Sequence, residues 1–296
     1  MAREKLISLL GDRPVVKEPE HLLIKKETID TYTVETLLLD LNGEEKVPAY
    51  FIKPKNVQGP LPLMLFHHSH DSNYGLGRKE VIEGNDYLQS TSFAKELTNL
   101  GYAVLAIDAW GFNERSGKRE SEIFKEMLVK GQVLWGMMLF DNMSAIDYAV
   151  TRDDVDSNRI GNIGMSMGGM TAWWLAALDE RVKVSVDIGG QVDLETLIDE
   201  RLLDKHNFYF YVPALLKHFT TPEVQELIAP RKRLSLVGRY DMNCPLHGVE
   251  KLEKHLNKVY ADAGYPDHFK QVVTTGGHQE TSHMRAEWKA FLIEHL

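Results

Sequence analysis

Cysteine is almost absent from this chain. Cys244 stands alone, which excludes an intramolecular disulfide and a cysteine-built zinc site. There is no Lys/Arg-rich block and the formal net charge is −9, so nucleic acid is not an expected partner. No apolar run approaches the roughly 20 residues of a membrane span. The charged segment 1–14 lacks the apolar core of a signal peptide. These absences predict a cytoplasmic protein with no membrane partner. What is present is ordinary for a globular protein: 296 residues, 43% hydrophobic and 26% charged. That length fits a single domain over 1–296, and a homodimer is the commonest oligomer for such a chain.

Residues 1–27 read as a charged, helical lead-in. The Thr-, Val- and Leu-rich stretch 28–41 reads as one strand, 46–52 as a second and 63–67 as a short apolar third with a polar end at His67. Strand-like runs at 103–107, 159–164, 183–188, 233–237 and 269–274 then alternate with helix-like runs at 92–100, 134–148, 170–177, 246–261 and 280–295. This alternation predicts an α/β protein with a mostly parallel central sheet and helices on both faces. The interval 191–230 breaks the rhythm and is too long for a simple crossover, so it is expected to form a small helical cap.

The run Ile160-Gly161-Asn162-Ile163-Gly164-Met165-Ser166-Met167-Gly168-Gly169-Met170 carries the strongest chemical signal. An apolar strand ends in Gly-x-Ser-x-Gly and a helix follows at once. Such a turn leaves Ser166 on a sharp corner with a helix N-terminus aimed at it. A serine hydroxyl needs a base, and the base needs an orienting acid, in the order Ser, acid, His. Asp241 follows the strand 233–237 and His278, behind Gly276-Gly277, follows the last strand. Asp187 and Asp193 rival Asp241; His283, His268, His247 and His255 rival His278. The oxyanion hole is expected from the backbone N–H groups of Met167 and His70, with Ser69 as the alternative to His70.

Trp110, Phe112, Phe208, Tyr209, Tyr211 and Met242 are candidates to wall the substrate pocket. Asp108 and Arg115 are expected to pair structurally. Trp135, Met137, Met138, Phe140, Trp173 and Trp174 read as packing residues. The cluster His67-His68-Ser69-His70-Asp71 contains zinc-type ligands. On an extended chain only His68 and His70 share a face, so a loop role is preferred and no metal or other cofactor is expected.

These residues resemble the α/β-hydrolase superfamily, in particular its dienelactone-hydrolase-like and acetyl-xylan-esterase-like branches. The resemblance rests on Gly164-Met165-Ser166-Met167-Gly168-Gly169, on Gly238-Arg239-Tyr240-Asp241 with Pro245, on Gly277-His278, and on the segment from Glu122 to Met138. It implies the α/β-hydrolase fold and a serine carboxylesterase acting on small to medium esters, such as acetylated sugars or aryl esters. Dienelactone hydrolases themselves use a cysteine nucleophile, whereas this chain has Ser166. The alternatives are a serine peptidase or amidase and a catalytically silent binding protein of the same fold.

Overall fold

The computed structural model describes residues 2–17, 19–70 and 73–296. It contains a nine-stranded sheet. The strands are β1 (His21–Ile29), β2 (Tyr32–Asp40), β3 (Lys46–Pro54), β4 (Leu61–His67), β5 (Ala103–Ile107), β6 (Val155–Met165), β7 (Val182–Ile188), β8 (Lys232–Gly238) and β9 (Phe269–Thr274). They lie in the order β1-β2-β3-β5-β4-β6-β7-β8-β9. The first three run antiparallel, β3 meets β5 antiparallel, and the rest are parallel.

Composition explains this division. Every residue of β4 and β5 is buried, as expected of a parallel strand covered on both faces. Leu63 and Leu65 enter one core with α5 (Leu134–Ala149) and α6 (Met167–Leu178); Met64 and Phe66 enter the other with α3 (Phe93–Asn99) and α10 (Ser282–His295). Trp135, Trp173 and Trp174 are almost wholly buried in the first core, so the expected packing roles are observed. The edge strand β1 is exposed along most of its length, and Lys25, Lys26 and Glu27 blunt its unpaired side.

Several boundaries differ from expectation. The stretch 28–41 is not one strand: a tight turn at Asp30 and Thr31 divides it between β1 and β2. Asp30 sits at φ 53°, a left-handed geometry that aspartate tolerates in turns. The lead-in is also part of the fold, because the helix Ala2–Leu9 inserts Leu6 into the core and β1 completes the sheet edge; Met1 and Glu18 lie outside the described residues. The interval 191–230 consists of two short α-helices, Leu194–Asp199 and Thr221–Gln225, joined by single helical turns. One of these turns is Leu215–Lys217. Among the described residues no helix is long and apolar enough to cross a membrane.

The loop after β9 is tied to the body by Glu280, which is 2% exposed. Its carboxylate accepts from Arg285, from Trp288 Nε1 at 2.7 Å and from the Gln89 N–H at 3.0 Å. Removing one partner of a buried ion pair leaves an uncompensated charge costing about 3–5 kcal/mol. Glu280→Ala should therefore lower the midpoint of urea unfolding strongly; a midpoint within error of wild type would disprove this anchoring role.

Candidate active site

The loops at the carboxyl ends of the parallel strands converge on Ser166. β6 ends at Met165 and α6 starts at Met167, so a single residue makes the turn. This is why α6 begins three residues before the expected 170. Ser166 takes φ 57° and ψ −119°, a strained conformation for a residue with a Cβ. It is held by its N–H donating to the Ile188 carbonyl at 2.8 Å and its carbonyl accepting from Met170 N–H at 2.9 Å. A Cβ at Gly168 would sit 1.9 Å from the His67 carbonyl oxygen; only glycine lets α6 start this close to the end of β4.

His278, in the loop after β9, places Nε2 2.7 Å from Ser166 Oγ and Nδ1 2.7 Å from Asp241 Oδ2. The serine hydroxyl donates to Nε2, and Nδ1–H donates to the carboxylate. The Asp241 side chain is 1% exposed and that of His278 is 14% exposed. The second Asp241 oxygen accepts from Asn243 N–H at 2.8 Å. The ring of Tyr87 meets the imidazole edge-on, with centroids 5.6 Å apart. Gly189 lies beneath this line at φ 56°; a Cβ there would be 3.3 Å from His278 Cε1.

The rival residues are committed elsewhere. Asp187 is buried against Arg233 and Ser235. Asp193 caps the helix Leu194–Asp199 and binds Lys251. His247, His255 and His283 each face a glutamate, and His268 contacts the Pro230 carbonyl. Cys244 is buried, and its thiol is pushed well above its ordinary range by desolvation and by Asp241 and Asp187.

The loop after β4 is built differently from expectation. The Ser69 N–H donates to buried Glu80 at 2.9 Å, and its hydroxyl donates to the same carboxylate at 2.5 Å. The Ser69 amide is thereby removed as the alternative oxyanion donor. Burial pulls His70 down to about 4, so its ring is neutral near pH 7. His68 is also held neutral: Nδ1–H faces the Ser69 carbonyl and Nε2 accepts from Ala109 N–H. Both His68 nitrogens are thus engaged within the protein. Asp71 lies outside the described residues, and among those described no group of three His, Cys, Asp or Glu side chains is arranged to hold a metal ion.

A cleft of about 190 Å³ opens over Ser166, lined by His70, Tyr87, Lys205, His206, Asn207, Tyr209, Asn243 and His278. Of the six expected wall residues, it includes Tyr209 alone. Phe112 is buried behind His70 and Tyr74. Trp110 stacks on Arg115 over a separate cavity. Phe208 packs on Phe124 outside the cleft. Tyr211 donates its hydroxyl to the Leu203 carbonyl, and Met242 points outward with 62% exposure. Asp108 and Arg115 pair as expected, though through the backbone: Arg115 Nη1 donates to the Asp108 carbonyl at 2.7 Å, while the Asp108 carboxylate binds Arg78 and Arg115 also binds Asp141 and Glu45. The missed lining residues are polar ones on irregular loops, where no periodicity marks a face. Their one sequence signal was the Lys205-His206-Asn207 run inside the 191–230 interval.

Residues 80–227 match the dienelactone hydrolase family, a stretch that contains Ser166 and stops short of Asp241 and His278. The chain is 55% identical over 298 aligned positions to "Putative hydrolase YtaP" of Bacillus subtilis (strain 168), covering 99% of this chain and 98% of that one. Among solved structures it resembles a glucuronoyl esterase from Solibacter usitatus (TM-score 0.73, 14% identity, covering 98% of this chain and 91% of that one). It also resembles acetyl xylan esterase 1 from Thermoanaerobacterium sp. JW/SL YS485 (TM-score 0.62, 20% identity, 99% and 98% covered). At these identities the structural likeness establishes the α/β-hydrolase fold. The family match over half the chain, together with a relative matched end to end, makes this protein a member of the dienelactone hydrolase family within the α/β-hydrolase superfamily.

Proposed function

We propose that the protein is a serine carboxylesterase. The observation that carries this reading is the continuous line from Ser166 Oγ through His278 to Asp241, with both contacts at 2.7 Å. Ser166 attacks the ester carbonyl while His278 Nε2 takes its proton. The tetrahedral intermediate collapses, the alcohol leaves with that proton, and an acyl-enzyme remains. Water, deprotonated by His278, attacks the acyl carbon; the second tetrahedral intermediate collapses, breaking the bond to Ser166 Oγ, which takes the proton back from His278 as the acid departs. Asp241 keeps the imidazole in the required tautomer and balances its positive form. The Met167 and His70 N–H groups hold the oxyanion; the first N–H groups of a helix have no intrahelical acceptor, which suits Met167 to this role.

Cleft size and polarity support small esters with hydroxylated alcohol parts, such as acetylated sugars. The xylan-related esterases among the structural neighbours favour the same class. Residues 191–230 act as a cap in this reading, since Lys205, His206, Asn207 and Tyr209 all reach the cleft from that segment.

A fluorophosphonate probe should label the wild type with one equivalent, and Ser166→Ala should not label. Equal labelling of both, or none of either, would remove the serine mechanism. The enzyme should hydrolyse p-nitrophenyl acetate and spare peptide anilides; the reverse preference would favour a peptidase. Asp241→Asn should lower kcat by about 10⁴-fold, because the wrong histidine tautomer then faces the serine.

Gly189→Ala tests the packing beneath the imidazole. The new methyl would strain a positive-φ position and crowd His278, and an ångström of misplacement can cost on the order of 10²-fold in rate. Unchanged kcat in a folded variant would show that the space below the ring does not matter.

A further inference from the structure

Asn207 belongs to the 191–230 segment, yet its side chain reaches the loop after β4. Its Nδ2 lies 2.5 Å from His70 Nε2 and 3.1 Å from the Tyr74 hydroxyl oxygen. The amide nitrogen has two hydrogens, and each of these contacts uses one. With its oxygen accepting from Asn207, the Tyr74 O–H is left to donate to Glu120, with which it hydrogen-bonds. Glu120 in turn accepts from the Tyr209 N–H at 2.7 Å. Desolvation raises the Glu120 carboxyl, while the Tyr209 N–H and the Tyr74 hydroxyl oppose that rise. The donors and acceptors form one consistent chain from Glu120 to the His70 ring. The His70 imidazole is also boxed by rings: Tyr74 at 4.6 Å and Phe112 at 5.8 Å, both edge-on, with Tyr209 at 6.1 Å.

We propose that Asn207, backed by Tyr74 and Glu120, is a positioning residue that fixes His70 so that its backbone N–H meets the oxyanion. This rests on the serine-esterase reading above and deepens it. The loop lacks a glycine at Ser69, where Glu80 secures the backbone and the hydroxyl. The position of His70, one residue further on, is set by a side chain from the opposite side of the cleft. The link has a functional consequence: the segment that roofs the cleft also sets the geometry of the oxyanion hole. Both acylation and deacylation pass through an oxyanion, so a misplaced donor slows turnover whichever step limits it.

The test compares Asn207→Ala, Asn207→Asp and Tyr74→Phe with wild type on p-nitrophenyl acetate, alongside the end-point stoichiometry of fluorophosphonate labelling. Aspartate is isosteric with asparagine but has no N–H to donate when ionised. The expected result is that Ala and Asp both lower kcat by about 10- to 100-fold, below the 10²–10³-fold typical of deleting an oxyanion donor outright. KM should stay within about twofold and labelling should still reach one equivalent. Tyr74→Phe keeps the ring stacked on Phe112 and serves where the Asn207 variants fold poorly; it should lower kcat by a smaller factor, about threefold or more, from the loss of one link. The proposal is overturned if Asp behaves as wild type, if the loss appears in KM alone, or if Tyr74→Phe leaves kcat unchanged. A wild type that fails to label would instead refute the serine-esterase reading, and this inference with it.

Discussion

The close approach of α6 to the end of β4 is the constraint on which the site depends. With no Cβ at Gly168, the first turn of α6 lies directly against the His67 carbonyl. The same turn packs on Gly164 at the end of β6, where an added Cβ would be 2.5 Å from Gly168 backbone atoms. Two neighbouring parallel strands and one helix therefore meet within a few ångströms. Ser166 has to occupy the corner between them, at a backbone geometry it would not adopt alone. The loop leaving β4 is carried past the start of α6, which brings His70 into the cleft that holds Ser166.

Buried carboxylates steady the loops that leave this meeting point. Glu80 holds Ser69 from below. Asp187 and Gln191 bind Arg233, tying the strand end at β7 to β8. Glu280 ties the segment behind His278 to Tyr87 and Gln89, and its partner Arg285 adds a bond to the Thr91 carbonyl. A buried ion pair gives little net stability compared with apolar packing, because desolvation offsets its attraction. Its directional hydrogen bonds nonetheless fix backbone positions that apolar contacts leave free to slide. This is the kind of anchoring that a line of 2.7 Å contacts requires.

Much of the fold was legible in the chain. Strands 103–107 and 269–274 match the observed β5 and β9 residue for residue, since short strand-forming runs closed by turn residues have few alternative readings. The β1–β2 hairpin was not legible, because Asp30 and Thr31 carry no strong turn signature. Ser166, Asp241 and His278 were identifiable because each follows a strand end, where chain order and sheet topology coincide. Apart from Tyr209, the pocket walls were misassigned for a general reason. Aromatic residues were chosen as walls, yet Phe112 satisfies its apolar surface inside the core, whereas the cleft is lined by polar side chains on loops.

The amino-acid sequence by itself determined the alternation of strand and helix, the elbow around Ser166 and the order of the three residues aligned there. These follow from local rules: apolar periodicity, glycine at a tight turn and strand ends that precede loops. Tertiary structure alone decided which hydrogen-bond donors remain available and what lines the cleft. The Ser69 amide is engaged by Glu80, eleven residues away. The His70 ring is held by Asn207, 137 residues away. Hydrogen-bond saturation is a property of groups brought together in space, and no spacing along the chain encodes it.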